Sequence, residues 1–252
     1  MTGGAPVTRP GTATSFEGLV DDYDAGRPTY PTALYDALPP LAGAPLLELG
    51  AGTGIATRDL AGRGALVVST DLGPRMLGRL HARLPQVPVV VARAEALPFV
   101  DGAFEGVAGA QMWHWVDVPA AAGEVARVLA PGGWLALWWN DVDADGLPWW
   151  EAQQARLEEG NAAYRRDYRG TDYGGQLLAT GLFTDLRRSD TAWERTLELP
   201  TYERWLRSKS YVHELADVDG FVAASLADLR AVFPDGVVHE PFVTRLFLLR
   251  RP

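Results

Sequence analysis

The chain contains no cysteine, which removes disulfides, thiolate nucleophiles and cysteine-ligated zinc together. Lys209 is its single lysine and Ile55 its single isoleucine, while arginine and alanine are abundant. That bias follows codons rich in G and C and points to a bacterial genome rather than to chemistry. No apolar run approaches the ~20 residues of a membrane span. The first fifteen residues lack the basic start and apolar stretch of a secretory signal. These absences predict a soluble, cytoplasmic protein with no membrane partner. Positive charge is also short: 23 Lys and Arg against 32 Asp and Glu leave a net charge of −9. The chain as a whole therefore offers no electrostatic footprint for a phosphate backbone, and no nucleic-acid partner is expected.

What is present suits a globular core. The 252 residues are 47% hydrophobic and 22% charged, which fits one large domain or one domain with an inserted lobe. Residues 1–15 read as a flexible tail, and 16–44, with prolines at 28, 31, 39 and 40, as an arm or lid containing a short helix over Thr32–Leu38. From 45 to 252 the pattern is regular. Apolar runs at Leu46–Leu49, Ala65–Thr70, Val87–Ala92, Phe104–Ala110 and Trp134–Trp139 alternate with helical segments at 55–62, Pro74–Leu84 and Pro119–Leu129. Short apolar strands alternating with helices argue a doubly wound, mostly parallel sheet of the α/β class. Phe183–Leu199 and Phe242–Arg250 read as two further strands able to pair antiparallel, making seven. Helical stretches at about 147–180 and 200–234 are extra to the alternation and are expected to form a cap. In such sheets ligands bind at the carboxyl ends of the strands.

Between the first strand and the first core helix lies Glu48-Leu49-Gly50-Ala51-Gly52-Thr53-Gly54. Backbone amides and the positive helix end face a ligand at such a place. A dinucleotide fingerprint needs its third glycine where Ile55 stands, and a phosphate-cradling loop needs a lysine that this segment lacks. The acid, Glu48, suits an ammonium group better than pyrophosphate.

These residues resemble the class I S-adenosylmethionine-dependent methyltransferases. Glu48, Gly50, Gly52 and Gly54 match that family's first motif, where the glycines admit the methionine portion. Asp71, at the end of the second strand, matches the acid that takes the ribose hydroxyls. Ala94-Glu95-Ala96-Leu97-Pro98-Phe99 is similar to the segment edging the adenine, and Arg127-Val128-Leu129 followed by Pro131-Gly132-Gly133 to the approach to strand five. Tyr23, Arg27-Pro28, Tyr30-Pro31, Gln111, His114-Trp115, Trp139-Asn140 and Asp143 are similar to a small-molecule subgroup that includes fungal trans-aconitate methyltransferases. The resemblance implies S-adenosylmethionine as cofactor, S-adenosylhomocysteine as product and a small-molecule acceptor. It places Arg27 on the methionine carboxylate by a charge-assisted pair, with Tyr23 and Tyr30 near the sulfonium. Gln111 reads as a hydrogen-bonding group for cofactor or substrate.

His114 follows strand four, where methyl donor and acceptor should meet. An imidazole with a pKa near 6.5 suits proton removal from a hydroxyl, which favours oxygen over nitrogen or carbon as the receiving atom. A positioning role between Trp113 and Trp115 is the other reading. No metal is expected: Asp141, Asp143, Asp145 and Gly146 imitate a calcium loop, but its twelfth position is Ala152, and Gln111 stands where a magnesium-dependent enzyme would want a carboxylate. The same glycine loop would also serve a cyclase or binding module that retains the cofactor without methylating. A nicotinamide oxidoreductase is disfavoured by Ile55.

Overall fold

A computed structural model describes residues 26–164, 166 and 170–252. Its centre is a seven-stranded sheet of β1 (Pro45–Leu49), β2 (Leu66–Asp71), β3 (Val89–Val91), β4 (Phe104–Ala110), β5 (Leu129–Val142), β6 (Thr184–Glu198) and β7 (Val237–Arg250). The spatial order is β3-β2-β1-β4-β5-β7-β6. The first five strands pair in parallel, and β7 lies antiparallel between β5 and β6. The order reverses between β2-β1 and β4, so the carboxyl ends of β1 and β4 border the crevice where ligands settle in such sheets.

Period-two alternation builds the two faces. Leu46, Trp134, Ala136 and Trp138 point to one side, under α1 (Thr32–Asp36), α2 (Ile55–Gly62) and α3 (Pro74–Arg83). Leu47, Leu49, Leu135, Leu137 and Trp139 point to the other, under α4 (Val118–Val128) and α6 (Tyr173–Ala179). Strands buried on both faces need continuous apolar runs, which is why they stand out in the sequence.

The cap consists of α5 (Pro148–Gly160), α7 (Leu199–Arg207), α8 (Ser210–His213) and α9 (Val218–Val232). It has its own core, in which Trp149, Trp150, Tyr202, Trp205, Leu206 and Leu229 close over Val238 and Phe242 of β7. Two expectations need correction. Residues 173–179 are not cap: α6 packs on β6 and β7 beside α4, with Leu177 inside the sheet-covering core. The helical stretch at about 200–234 is not continuous: α7 ends at Arg207 and α8 starts at Ser210, with a break at Ser208 and Lys209. That break brings Lys209 to the wall of the central cavity. Among the described residues no helix is long and apolar enough to cross a membrane.

Candidate active site

The loop after β1 turns through left-handed residues: φ is 62° at Gly50, 56° at Gly52 and 91° at Gly54, a region that costs any side chain steric strain. At Gly50 the constraint is also one of space, since a Cβ would stand 2.6 Å from that of Met112 in the turn after β4. At Gly52 a Cβ would meet nothing within 4 Å, and the residue lines the cavity, so its bare backbone admits close approach from that side. Gly54 does a packing job, with Leu80 of α3 against it.

The carboxylate of Asp71 is pinned where β2 ends. Its Oδ2 accepts the Gly52 N–H at 2.9 Å and its Oδ1 the Gly73 N–H at 2.8 Å. A carboxylate offers about four acceptor sites, two of which these amides take. Glu48 is buried on the cavity wall, and its Oε2 accepts from Thr57 Oγ1 at 2.5 Å and Ser69 Oγ at 2.8 Å. Burial raises its pKa from 4.5 to about 7 against the lowering effect of those two hydroxyls.

Beyond β4 the chain enters another strained turn. Gln111 has φ of 55°, a conformation that costs a non-glycine residue on the order of 1 kcal/mol or more and persists where surroundings enforce it. Its N–H donates to the Trp138 carbonyl at 2.9 Å and its Nε2 to the Asn140 carbonyl at 3.1 Å, which enforces it here. His114 lies on the following helical turn, Trp113–Trp115, with its ring on the cavity wall. Trp139 Nε1 donates to His114 Nδ1 at 3.3 Å. An indole nitrogen only donates, so Nδ1 supplies a lone pair and the proton of the neutral ring sits on Nε2. Water in the open cavity reaches the ring, but protein crowds it, and burial followed by the Arg27 charge lowers its pKa from 6.5 to about 4.

The segment from Gly26 to Pro31 crosses to this cavity and is tied at several points. Arg195 Nη1 donates to the Gly26 carbonyl at 2.6 Å, Arg27 Nη2 to the Ser208 carbonyl at 3.2 Å, and Asn140 Nδ2 to the Thr29 carbonyl at 2.9 Å. Behind Asn140 a buried chain continues, Thr244 Oγ1 donating to Asn140 Oδ1 at 2.6 Å and Trp193 Nε1 to Thr244 Oγ1 at 2.8 Å. Tyr30 meets Trp138 edge to face at 5.8 Å.

Together these groups line a cavity of about 550 Å³. Of the residues singled out from the sequence, it brings together Arg27, Tyr30, Glu48, Gly50, Gly52, Gln111, His114, Trp115, Trp139 and Asn140. Asp71 stands one hydrogen bond behind the wall, through Gly52. Ala94 is buried in the sheet-covering core, and Glu95 Oε1 accepts the Asp117 N–H at 2.9 Å at the start of α4. Tyr23 lies outside the described residues. Asp141 pairs with Arg245 at 3.0 Å, and Asp145 accepts from the Trp150 indole at 3.1 Å. The rest of the lining includes Asn161, Tyr164, Trp205, Lys209, Tyr211 and Arg245. Tyr164, Trp205 and Tyr211 read from the sequence as cap aromatics that either pack or line an acceptor pocket, whereas Asn161, Lys209 and Arg245 were missed, and of these only Lys209 carried a signal, as the lone lysine of an arginine-rich chain.

Residues 47–137 match the family described as a methyltransferase domain. The chain is 39% identical over 197 residues to an uncharacterised methyltransferase of Mycobacterium tuberculosis, covering 78% of this chain and 77% of that protein. It belongs to the class I S-adenosylmethionine-dependent methyltransferases. Among solved structures, phosphoethanolamine N-methyltransferase 2 of Haemonchus contortus, in complex with phosphomonomethylethanolamine and S-adenosylhomocysteine, superposes with a TM-score of 0.56 at 16% identity, over 96% of this chain and 58% of that one. A cyclase superposes with a TM-score of 0.54 at 15% identity, over 96% of both chains. At these identities the likeness is one of fold, and a methyltransferase and a cyclase sharing it are reason to argue the reaction from the site.

Proposed function

We propose that this methyltransferase transfers the methyl group to a small-molecule acceptor held under the cap, with oxygen as the favoured receiving atom, in the cytoplasm. The observation that carries the reading is the pairing of Glu48 and Gly52 on one cavity wall. A buried carboxylate with a raised pKa is matched by an ammonium group, and the bare left-handed backbone beside it admits a chain at close approach. Both features fit the amino-acid end of S-adenosylmethionine. In this reading Gly50 and Gly54 shape the loop, Arg27 takes the carboxylate, Asp71 the ribose hydroxyls, Ala94 and Glu95 edge the adenine, and Gln111 holds the floor between cofactor and acceptor.

S-adenosylmethionine, when bound, supplies a methyl carbon already activated by its sulfonium, so the residues of the chain have mainly to align and to exclude water. The cap and the 26–31 segment enclose the cavity that does this. His114, with its proton on Nε2, presents an N–H donor and orients the acceptor. An oxygen acceptor that arrives as an anion needs no base, which agrees with a histidine that keeps its proton. The cavity volume, about 550 Å³, lies in the range of small-ligand sites.

The test has two parts. Titration calorimetry with S-adenosylhomocysteine is expected to give one site per chain, and incubation with S-adenosylmethionine and a library of small hydroxyl, carboxyl, amine and carbon acceptors is expected to release S-adenosylhomocysteine with one of the hydroxyl or carboxyl compounds. Binding without turnover across hydroxyl, carboxyl, amine and carbon acceptors would favour a cyclase-like use of the site. Absence of binding would overturn the reading.

A further inference from the structure

We propose that side chains of the β6–β7 pair are positioning residues for the 26–31 segment. Arg195 holds the Gly26 carbonyl, the buried chain Trp193-Thr244-Asn140 holds the Thr29 carbonyl, and Arg27 between them is thereby set in its place on the cavity. The proposal deepens the reading above and rests on it in giving Arg27 the cofactor carboxylate.

Both holds reach the segment from one face of the sheet edge. Trp193 and Arg195 are two apart on β6, so their side chains share a face. Phe242 of β7 lies against both: Trp193 stacks on its ring at 5.0 Å, and the Arg195 guanidinium lies 5.1 Å from the same centroid. Trp205 of α7 covers that guanidinium at 4.5 Å, and its Nε donates at 2.6 Å to Glu240, a fully buried carboxylate that Lys209 also faces. A guanidinium presents its donors in a rigid fork, so fixing Nε on Glu240 aims the rest of the group. Nη1 then donates to the Gly26 carbonyl at 2.6 Å. Gly26 lies directly on α7 at that point: a Cβ would stand 2.7 Å from the Trp205 backbone, so only a bare main chain fits there.

The second hold is fixed by the direction of its protons. An indole nitrogen only donates, so Trp193 Nε1 takes an acceptor site of Thr244 Oγ1 at 2.8 Å. The single hydroxyl proton goes on to Asn140 Oδ1 at 2.6 Å, and Asn140 thus turns its Nδ2 to the Thr29 carbonyl at 2.9 Å. The reversed amide would set oxygen against oxygen at Thr29. Thr244 is buried, and a partner lost there leaves the others unpaired in the interior. Packing alone would be served by a valine at 244 and a phenylalanine at 193. What the polar pair adds is the orientation of Asn140, whose own carbonyl also receives Gln111 Nε2 at 3.1 Å. One residue therefore ties the 26–31 segment to the turn after β4.

The experiment uses the full chain and compares, by calorimetry, S-adenosylhomocysteine with its decarboxylated analogue, which keeps the ammonium group and lacks the carboxylate. Wild type is expected to prefer the carboxylate form by roughly a hundredfold, and Arg27→Met to erase most of that preference. Thr244→Val is expected to narrow it about tenfold by weakening the carboxylate ligand alone, and Thr244→Ser to restore it. A variant that merely loosens the fold would weaken both ligands together. Arg195→Met combined with Glu240→Gln, which removes both charges of the buried pair, is expected to narrow the preference in the same way. If Thr244→Val does not fold, Trp193→Phe takes its place, since it keeps the ring stack on Phe242 and removes only the indole proton. A second readout needs no ligand: the Tyr30 ring resonances, moved by the ring current of Trp138 at 5.8 Å, are expected to shift in Thr244→Val and to return in Thr244→Ser. A preference unchanged in Thr244→Val, an equal loss for both ligands, or wild-type Tyr30 resonances in that variant would overturn the proposal. Should Arg27→Met keep the full preference, the carboxylate reading of Arg27 falls, and should neither ligand bind, the cofactor reading falls. In both cases the Tyr30 resonances still judge whether the β6–β7 side chains hold the segment.

Discussion

Part of the cavity wall is shaped by backbone conformation, at the loop after β1. Three left-handed glycines, and the amides of Gly52 and Gly73 on Asp71, all come from one strand-turn-helix-strand run between residues 48 and 73. Elsewhere the wall is side chains: Asn161, Tyr164, Trp205, Lys209 and Tyr211 come from helices and loops of the cap, supported by Phe242 and Arg245 of β7. A backbone wall is fixed by chain conformation and resists substitution, because nearly any change there alters φ or fills the space a ligand needs. A side-chain wall can be rewritten one residue at a time while the sheet below it stays as it is.

Gly50→Ala is expected to damage the glycine loop most severely. The new methyl would stand 2.6 Å from the Met112 Cβ at a φ of 62°. Strain and overpacking together are expected to cost S-adenosylhomocysteine affinity about a hundredfold or more, read by calorimetry with a thermal melt to confirm folding. Replacements on the cap side, such as Tyr164→Phe, should leave that affinity within about twofold, in keeping with the near-neutral effect of changes remote from a ligand. If Tyr164→Phe weakens cofactor binding as much as Gly50→Ala does, the two walls are not separate.

Asp71→Ala comes next. It removes an acceptor held by two amides, and the expected loss of cofactor affinity is about 1–3 kcal/mol, the scale for a partner in charged hydrogen bonds. An unchanged dissociation constant would take Asp71 out of the site and leave it as a brace between Gly52 and Gly73.

The same division explains what the sequence made legible. Gly50, Gly52, Gly54, Glu48 and Asp71 lie within one local run, so their spacing alone carries the geometry. The parallel strands were equally legible, because burial on both faces writes a continuous apolar run. Even the long edge pair was visible, β6 and β7 differing from the sequence reading mainly in that β7 starts at Val237 rather than Phe242. The cap wall was legible only as a set of aromatics able to pack or to line a pocket, because its contacts are distant in the chain. Arg27 meets the Ser208 carbonyl across 181 residues and Arg195 the Gly26 carbonyl across 169, and no local pattern records such pairs. The left-handed Gln111 escaped for another reason: its backbone is forced by the carbonyls of Trp138 and Asn140 rather than chosen by its own side chain.

Glu48→Gln separates stability from function on the glycine-loop side of the cavity. Burial raises the Glu48 pKa from 4.5 to about 7, so this residue favours the folded ligand-free protein fully below 4.5 and loses that contribution as pH rises through 7. The amide carries no such penalty, and Thr57 and Ser69 can turn their hydroxyls to suit it. Ligand-free Glu48→Gln is therefore expected to be more stable than wild type at about pH 8, by on the order of 2 kcal/mol, with the gap closing towards about pH 5. Cofactor affinity should move the other way. It should rise with pH in the wild type as the carboxylate ionises against the ammonium, and be weaker and flatter in the variant. A stability gap that is the same at both pH values would mean that Glu48 does not titrate in this range.

The smallest effect is expected at His114, where the two walls meet. Its pKa is lowered to about 4, first by burial and then by Arg27, so the ring is neutral at pH 7, and its stability contribution is complete above 6.5 and lost as pH falls through about 4. The Trp139 indole occupies Nδ1, which leaves Nε2 with the proton and makes the ring a donor. To act as a base it would have to release the indole and move its proton to the other nitrogen. His114→Asn keeps an N–H donor, and its turnover with an identified acceptor is expected within about tenfold of wild type, against the roughly 10²- to 10⁴-fold loss that removal of a general base produces. Cofactor affinity should not change, and kcat/KM should show no limb near pH 6.5 that the substitution removes. A limb there that disappears in His114→Asn, together with a loss of a hundredfold or more, would restore the histidine as the base. It would also mean that the cap admits acceptors whose hydroxyl must be deprotonated in place rather than arriving as an anion.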